Sequence, residues 1–287
     1  NKYPELNVMD DYPPCVQIEP TSICNFRCVM CYQADRTFSS KSMGYMGYID
    51  LDIYKAAIDE LEGNVEAVTL ASRGEPTLHP KISEMLSYSK DKFLAFKMNT
   101  NASLLTENMC HAILGSDLQI LVFSVDAADP VLYEKIRVNG KFEQVKDNIE
   151  LFHKIRSDQY PQSKLITKVS GVKLNDDQDF DSMVRYWGDL VNEVGFVKYD
   201  PWESAYDNDV NDIDSACSEL WTKMYIWWDG RVNPCDYDYK STLTINKGFE
   251  FPSKSINEIW TSKFYEQMRR LHLNKKRSEI EPCRRCV

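Results

Sequence analysis

The chain has 287 residues, 43% of them hydrophobic, and a formal net charge of −10. That length and apolar content suffice for a sizeable core, in one large domain or a domain with an appendage. The acidic balance argues against a nucleic-acid binder, and the apolar runs fall far short of a membrane span. No secretory signal opens the chain, so its nine cysteines point to a reducing, cytoplasmic setting and metal ligation rather than a disulfide framework. The first residue is Asn1 rather than Met, which leaves room for a preceding segment.

Strand-like and helix-like segments alternate along the chain. CVQIE at 15–19 reads as a strand entering a Pro-Thr-Ser loop. LDIYKAAIDELEG at 51–63 has helical spacing and a terminal Gly. The series continues with a strand at 65–71, a helix at 82–90, a strand at 93–99 and a helix at 106–115. Next come a strand at 118–126, helices at 129–137 and 142–156, a strand at 164–172, a helix at 179–194 and a strand at 196–200. About six β/α units imply a parallel sheet covered by helices. Acidic DNDVNDID at 207–214 reads as a linker. KMYIWWDGRVNPC at 223–235 reads as two short strands around an Asp-Gly turn, residues 256–273 as one helix, and the chain ends near CRRC at 283–286.

Three cysteines, Cys24, Cys28 and Cys31, fall within eight positions of CNFRCVMC. A helical apolar stripe, a disulfide and a four-ligand zinc site are the alternatives. Asn25 and Arg27 interrupt the stripe, three thiols cannot all pair, and zinc wants a fourth ligand. An iron–sulfur cluster held by three thiolates would leave one iron open. In a parallel α/β sheet the loops after the strands converge on one mouth. Here those loops are the cysteine segment, SRGEP at 72–76, NTNAS at 99–103 and SVDAAD at 124–129.

On these residues the chain resembles the radical S-adenosylmethionine (radical SAM) enzymes. CNFRCVMC matches their Cys-x3-Cys-x2-Cys motif, and RGEP is similar to their Gly-Gly-Glu-Pro loop, with Arg73 in place of the first Gly. NTNASLLT is similar to their Thr-Asn-Gly segment, with Ala102 in place of Gly. The likeness implies a partial (β/α)6 TIM barrel of the radical SAM type. It also implies a [4Fe–4S] cluster on Cys24, Cys28 and Cys31, whose fourth iron binds S-adenosylmethionine (SAM). Reductive cleavage of SAM then yields a 5′-deoxyadenosyl radical. The family pattern assigns Gly74, Glu75 and Pro76 to the loop that meets the methionine amino group. It makes Ser124 and Arg137 candidates for its carboxylate or the ribose, Asn101 for the ribose, and Tyr32 for the adenine or a cover over the cluster. His79 and Pro80 are expected to shape their loop, and Cys15 and Cys110 to be core residues.

Cys217, Cys235, Cys283 and Cys286 remain in the tail. A structural zinc is one reading. The segment also resembles the SPASM/Twitch extension of radical SAM enzymes, with spacing close to that of the aminocyclitol dehydrogenases. This implies a second, fully ligated [4Fe–4S] cluster suited to electron transfer. The expected division is a core at 1–205 and a small C-terminal Twitch/SPASM-like iron–sulfur domain at 206–287. The expected activity is oxidation of an alcohol carbon in a small polar substrate, such as a sugar, aminocyclitol or nucleotide sugar. A flavodoxin- or ferredoxin-type reductant is expected, with no nucleic-acid or membrane partner. Asp200 or Glu203, after the last strand, is the expected proton acceptor, and the acid-rich stretch around them suits a cationic substrate. A peptide-modifying enzyme (a maturase or an epimerase) and a non-catalytic zinc protein are the alternatives.

Overall fold

The computed structural model describes residues 11–286; residues 1–10 of the expected first unit, and Val287, lie outside it. Eight strands form one sheet in the order β6-β5-β4-β3-β2-β1-β7-β8. Six of them are the expected parallel strands, each crossing to the next through helical cover. They are β1 (Cys15–Ile18), β2 (Ala67–Leu70), β3 (Ala95–Thr100), β4 (Ile120–Ser124), β5 (Ile166–Lys173) and β6 (Glu193–Lys198). Burial alternates along them: Val16, Ile18, Phe96 and Met98 pack under the helices, while Gln17, Lys97 and Asn99 face the other way.

The helices follow from their caps and periodicity. After the one-turn α1 (Arg36–Ser39), α2 (Leu51–Leu61) starts where the Asp50 carboxylate accepts from the Asp52 and Ile53 amides. Its Tyr54, Ala57, Ile58 and Leu61 repeat at helical spacing and are buried. Then come α3 (Ile82–Tyr88), α4 (Glu107–Gly115), α5 (Pro130–Ile136) and α6 (Phe142–Gln159). α7 (Phe180–Trp187) ends seven residues before the expected end at 194, with Gly188 as its C-cap. Residues from 193 pair instead with β5, with Glu193 opposite Lys168 and its carboxylate 2.7 Å from that ammonium. The tail holds α8 (Glu219–Thr222), β7 (Lys223–Ile226) and β8 (Val232–Asn233). The single expected helix at 256–273 is two, α9 (Ile256–Trp260) and α10 (Lys263–Leu273). Ser262 caps the second by accepting from the Tyr265 amide, and this fixes the break.

The expected hairpin of the tail does more than pair with itself. β7 also runs parallel to β1, with Cys15 opposite Lys223 and Ile18 opposite Ile226, so the tail extends the central sheet. One hydrophobic core accordingly holds Ile18, Met98 and Leu121 together with Met224, Ile226 and Trp260. Among the described residues no helix is long and apolar enough to cross a membrane.

A buried ion pair sits where these parts meet. The Arg73 guanidinium donates to both Glu19 carboxylate oxygens, at 2.7 and 2.6 Å, and to the Tyr239 carbonyl at 2.8 Å. The Trp228 amide donates to Glu19 at 3.2 Å, and the guanidinium lies 4.2 Å from the centre of a Trp227 ring. Glu19 and Arg73 are both almost fully buried. Arg73→Met would strand the Glu19 charge, and removing one partner of such a pair costs about 3–5 kcal/mol. Urea denaturation of the variant is expected to show a loss of that size, and the double variant Glu19→Gln/Arg73→Met should recover part of it.

Candidate active site

A cavity of about 440 Å³ opens at the C-terminal ends of the parallel strands. Cys24, Cys28 and Cys31 all line it from the loop after β1. Each sulfur is approached by a donor: Phe26 N–H to Cys24 at 3.4 Å, Arg137 Nη1 to Cys28 at 3.6 Å and Gln33 N–H to Cys31 at 3.5 Å. Burial pushes all three thiols up, Cys24 to about 12. Thiols held this way ionise readily only against a cation's charge, as metal ligands do. The donor set therefore fits an iron–sulfur cluster.

The second strand's loop is pressed against the cysteine loop. A Cβ on Gly74 would lie 2.2 Å from the Thr21 carbonyl oxygen and 2.6 Å from that of Ile23, so only glycine fits. Gly74 and Glu75 line the cavity. Pro76 does not; it opens the short turn Pro76–Leu78, and the Glu75 carboxylate caps that turn. Glu75 also accepts from the Thr77 and Thr100 hydroxyls, at 2.6 and 2.7 Å, and from the Asn101 amide at 2.7 Å. Burial pushes this carboxyl up, and those donors oppose the shift. The Asn101 side chain lines the cavity but is already engaged, donating to Asn25 and accepting from Ser103. Ala102 holds φ 60°, the left-handed region that explains the glycine expected there.

Ser124 and Arg137 line the cavity as well. The Arg137 guanidinium is partly committed, with Nε on Asp126 and Nη1 on Cys28. Tyr32 lines it within an aromatic group, stacked on Trp202 at 5.8 Å and tilted against Tyr239 at 5.1 Å. Gln33 Oε1, Ser72 Oγ and Asn99 Oδ1 belong to cavity-lining residues and are buried without a partner among the described residues. Such orphaned acceptors and hydroxyls suit a polar occupant. His79 shapes its loop, as expected, with both ring nitrogens on backbone groups of Ile49 and Lys81.

The two expected proton acceptors part company. Asp200 lines the cavity; Glu203 does not, and its carboxylate accepts from the Tyr199 hydroxyl. Asp236, which the sequence did not single out, also lines this cavity. Its carboxyl is pushed up to about 7, first by burial and then by the Glu219 charge. The available signal was its position directly after Cys235.

Cys217, Cys235, Cys283 and Cys286 converge on a second, small cavity. Burial pushes these thiols up too, Cys283 to about 12. Arg277 donates to the Cys283 and Cys286 carbonyls at 3.2 Å each, which fixes the terminal loop. Four converging thiols from distant sequence fit a fully ligated cluster. Cys110 is buried in the core, and Cys15 lies half-buried in β1.

The family comparisons agree with this geometry. Residues 18–185 match the Radical SAM superfamily, and residues 217–287 match an iron–sulfur cluster-binding domain, SPASM. An AdoMet-dependent heme synthase of Methanosarcina barkeri is 30% identical over 147 residues, 51% of this chain and 41% of that protein. A mycofactocin maturase of Mycobacterium tuberculosis is 29% identical over 133 residues, 46% of this chain and 32% of that protein. The matched stretches thus span less than half the length of these curated relatives. The crystal structure of BtrN in complex with AdoMet and 2-DOIA shares the fold with a TM-score of 0.64 at 14% identity, covering 97% of this chain and 94% of that one. Streptococcus suis SuiB bound to precursor peptide SuiA does so with 0.68 at 14% identity, covering 93% and 69%. The partial-barrel fold, a [4Fe–4S] cluster with SAM, and further iron–sulfur ligation in the tail go with these matches. The chain belongs to the radical SAM superfamily and carries a SPASM-type iron–sulfur cluster-binding domain.

Proposed function

We propose that this chain is a radical SAM oxidoreductase that dehydrogenates an alcohol carbon of a small polar substrate, such as a sugar, aminocyclitol or nucleotide sugar. The observation that carries this reading is the wall between the two cavities. Cys235 lines the four-cysteine cavity, and the next residue, Asp236, lines the strand-end cavity. When bound, SAM with a cluster on Cys24, Cys28 and Cys31 supplies hydrogen-atom abstraction, and a cluster on the tail cysteines supplies one-electron acceptance. The protein's own task is then to hold the substrate and take its hydroxyl proton. Asp236 and Asp200 both line the cavity and are the candidates for that task, and the Asp236 carboxylate also lies within 4.8 Å of the Cys235 sulfur and the Glu219 carboxylate. Gly74, Glu75, Ser124 and Arg137 would hold the methionine end of SAM, and Tyr32 would close the aromatic side. A flavodoxin- or ferredoxin-type partner would supply the reducing electron.

A peptide-modifying activity is the second reading. It is favoured by the sequence likeness to a mycofactocin maturase and by the fold shared with SuiB, which is bound to a precursor peptide. Incubating the reduced enzyme with deuterated small polyols and with peptides separates the two, because only the true substrate delivers deuterium to 5′-deoxyadenosine.

Metal content tests the ligand assignment. The reconstituted protein is expected to hold about eight irons, and Cys24, Cys28 and Cys31 replaced together by Ala should leave about four. The same variant should form no 5′-deoxyadenosine, as followed by chromatography.

The proton acceptor is tested with Asp236→Asn and Asp200→Asn. The variant lacking the acceptor should still abstract the substrate hydrogen, while formation of oxidised product drops by about 10²–10⁴-fold. Wild-type product formation by both variants would remove the dehydrogenase reading.

A further inference from the structure

The floor of the strand-end cavity carries a feature that the chemistry above does not use. Inward-facing positions alternate along the strands, and two of them are lysines: Lys97 on β3 and Lys168 on β5. Through β4 the register sets Asn99 opposite Val122 and Val122 opposite Lys168. Lys168 therefore lies level with Asn99, and Lys97 sits one layer deeper. Two strand spacings put β3 and β5 about 9.5 Å apart, within reach of two lysine side chains converging on one group between them.

The charges do not balance at this floor. Lys168 has an ion partner in Glu193, which is itself largely exposed. Lys97 has no ion pair or side-chain hydrogen bond among the described residues. Burial pushes its ammonium down; the nearby Cys15 thiol opposes that shift, and the positive Lys168 and Lys223 add to it. Lys223 is already paired with Glu219 at 2.7 Å. Above the lysines the register pairs Ser124 with Ser170, and both line the cavity with no side-chain partner among the described residues. A half-buried cation without a counter-ion, beside a second cation and the Ser170 hydroxyl, is unfavourable by itself and favourable around an oxyanion.

We propose that Lys97 and Lys168, with Ser170 above them, seat an anionic phosphoryl or carboxylate group of the substrate in the barrel floor. This deepens the dehydrogenase reading and rests on its choice of cavity. It also replaces the cationic substrate suggested by the acids near residue 200 with one that carries a negative group. The lysines would anchor that group deep in the barrel and so present the remainder of the molecule to the cysteine loop and to Asp200 and Asp236 above.

The test measures binding rather than turnover, so it does not depend on which reaction follows. Anaerobic holoenzyme, with both clusters oxidised and SAM bound, is titrated calorimetrically with inorganic phosphate and separately with succinate at low ionic strength. At least one anion is expected to bind saturably, and which one does tells a phosphoryl group from a carboxylate. Lys97→Met and Lys168→Met should each weaken that binding about ten-fold or more, the loss of one charge-assisted contact. Lys97→Arg, which keeps the charge, should stay within about three-fold of wild type. Lys97→Gln provides the neutral variant if Lys97→Met lowers iron content. Absence of saturable binding by either anion, or wild-type affinity in the neutral Lys97 variants, overturns the proposal. A substrate that binds through these lysines but is not oxidised would overturn the dehydrogenase reading alone.

Discussion

The arrangement of this protein depends on the buried pair of Glu19 and Arg73. Glu19 follows β1 and Arg73 follows β2, so the pair locks the start of the cysteine loop to the RGEP loop. Buried charges persist only where their remaining lone pairs and protons are also satisfied. Here the last partners come from the tail: the Trp228 amide on Glu19 and the Tyr239 carbonyl on Arg73. The pair is complete only when the tail is docked. An arginine where the family pattern has glycine thus becomes a joint between the two halves of the chain.

That joint shapes the chemistry around it. With β7 added beside β1, Asp236 comes to line the strand-end cavity. Tyr239 joins Tyr32 and Phe38 in the aromatic group beside the cysteine loop. Cys235 lines the four-cysteine cavity and Asp236 the strand-end cavity, while the Cys235 sulfur and the Asp236 carboxylate lie within 4.8 Å of one another. The rim is accordingly built from loops and tail, whereas the floor is built from strand residues, Lys97, Lys168 and their hydroxyl neighbours, whose positions follow from the pleat.

Much of this was legible in the sequence. The six parallel strands follow from alternating apolar segments, and the strands' C-terminal loops gather the cysteine motif with Gly74, Glu75, Asn101, Ser124 and Arg137 around one cavity. Local signals failed where periodicity was short. The residues after Gly188 carry too few turns to tell helix from strand, and pairing with β5 decided them. Residues 256–273 keep one apolar face throughout, and only the Ser262 cap reveals the break. Glu203 follows the last strand as Asp200 does, yet a bond to Tyr199 takes it out of the cavity.

The sequence by itself determined the chemistry available: three closely spaced thiols, a glycine-acid loop, four more thiols in the tail, and strands in an order that converges their loops. These are encoded locally, in spacing and in period. Only the tertiary structure decided what shares a cavity. The parallel pairing of β7 with β1 joins segments some two hundred residues apart, and with it came Asp236 at the active-site wall and the Glu19–Arg73–Tyr239 joint. Strand register likewise decided that Lys97 and Lys168, unremarkable charges in the sequence, line one half-buried floor a layer apart. Non-local pairing has no sequence period to announce it, because it is set by which edge remains free once the local elements have packed.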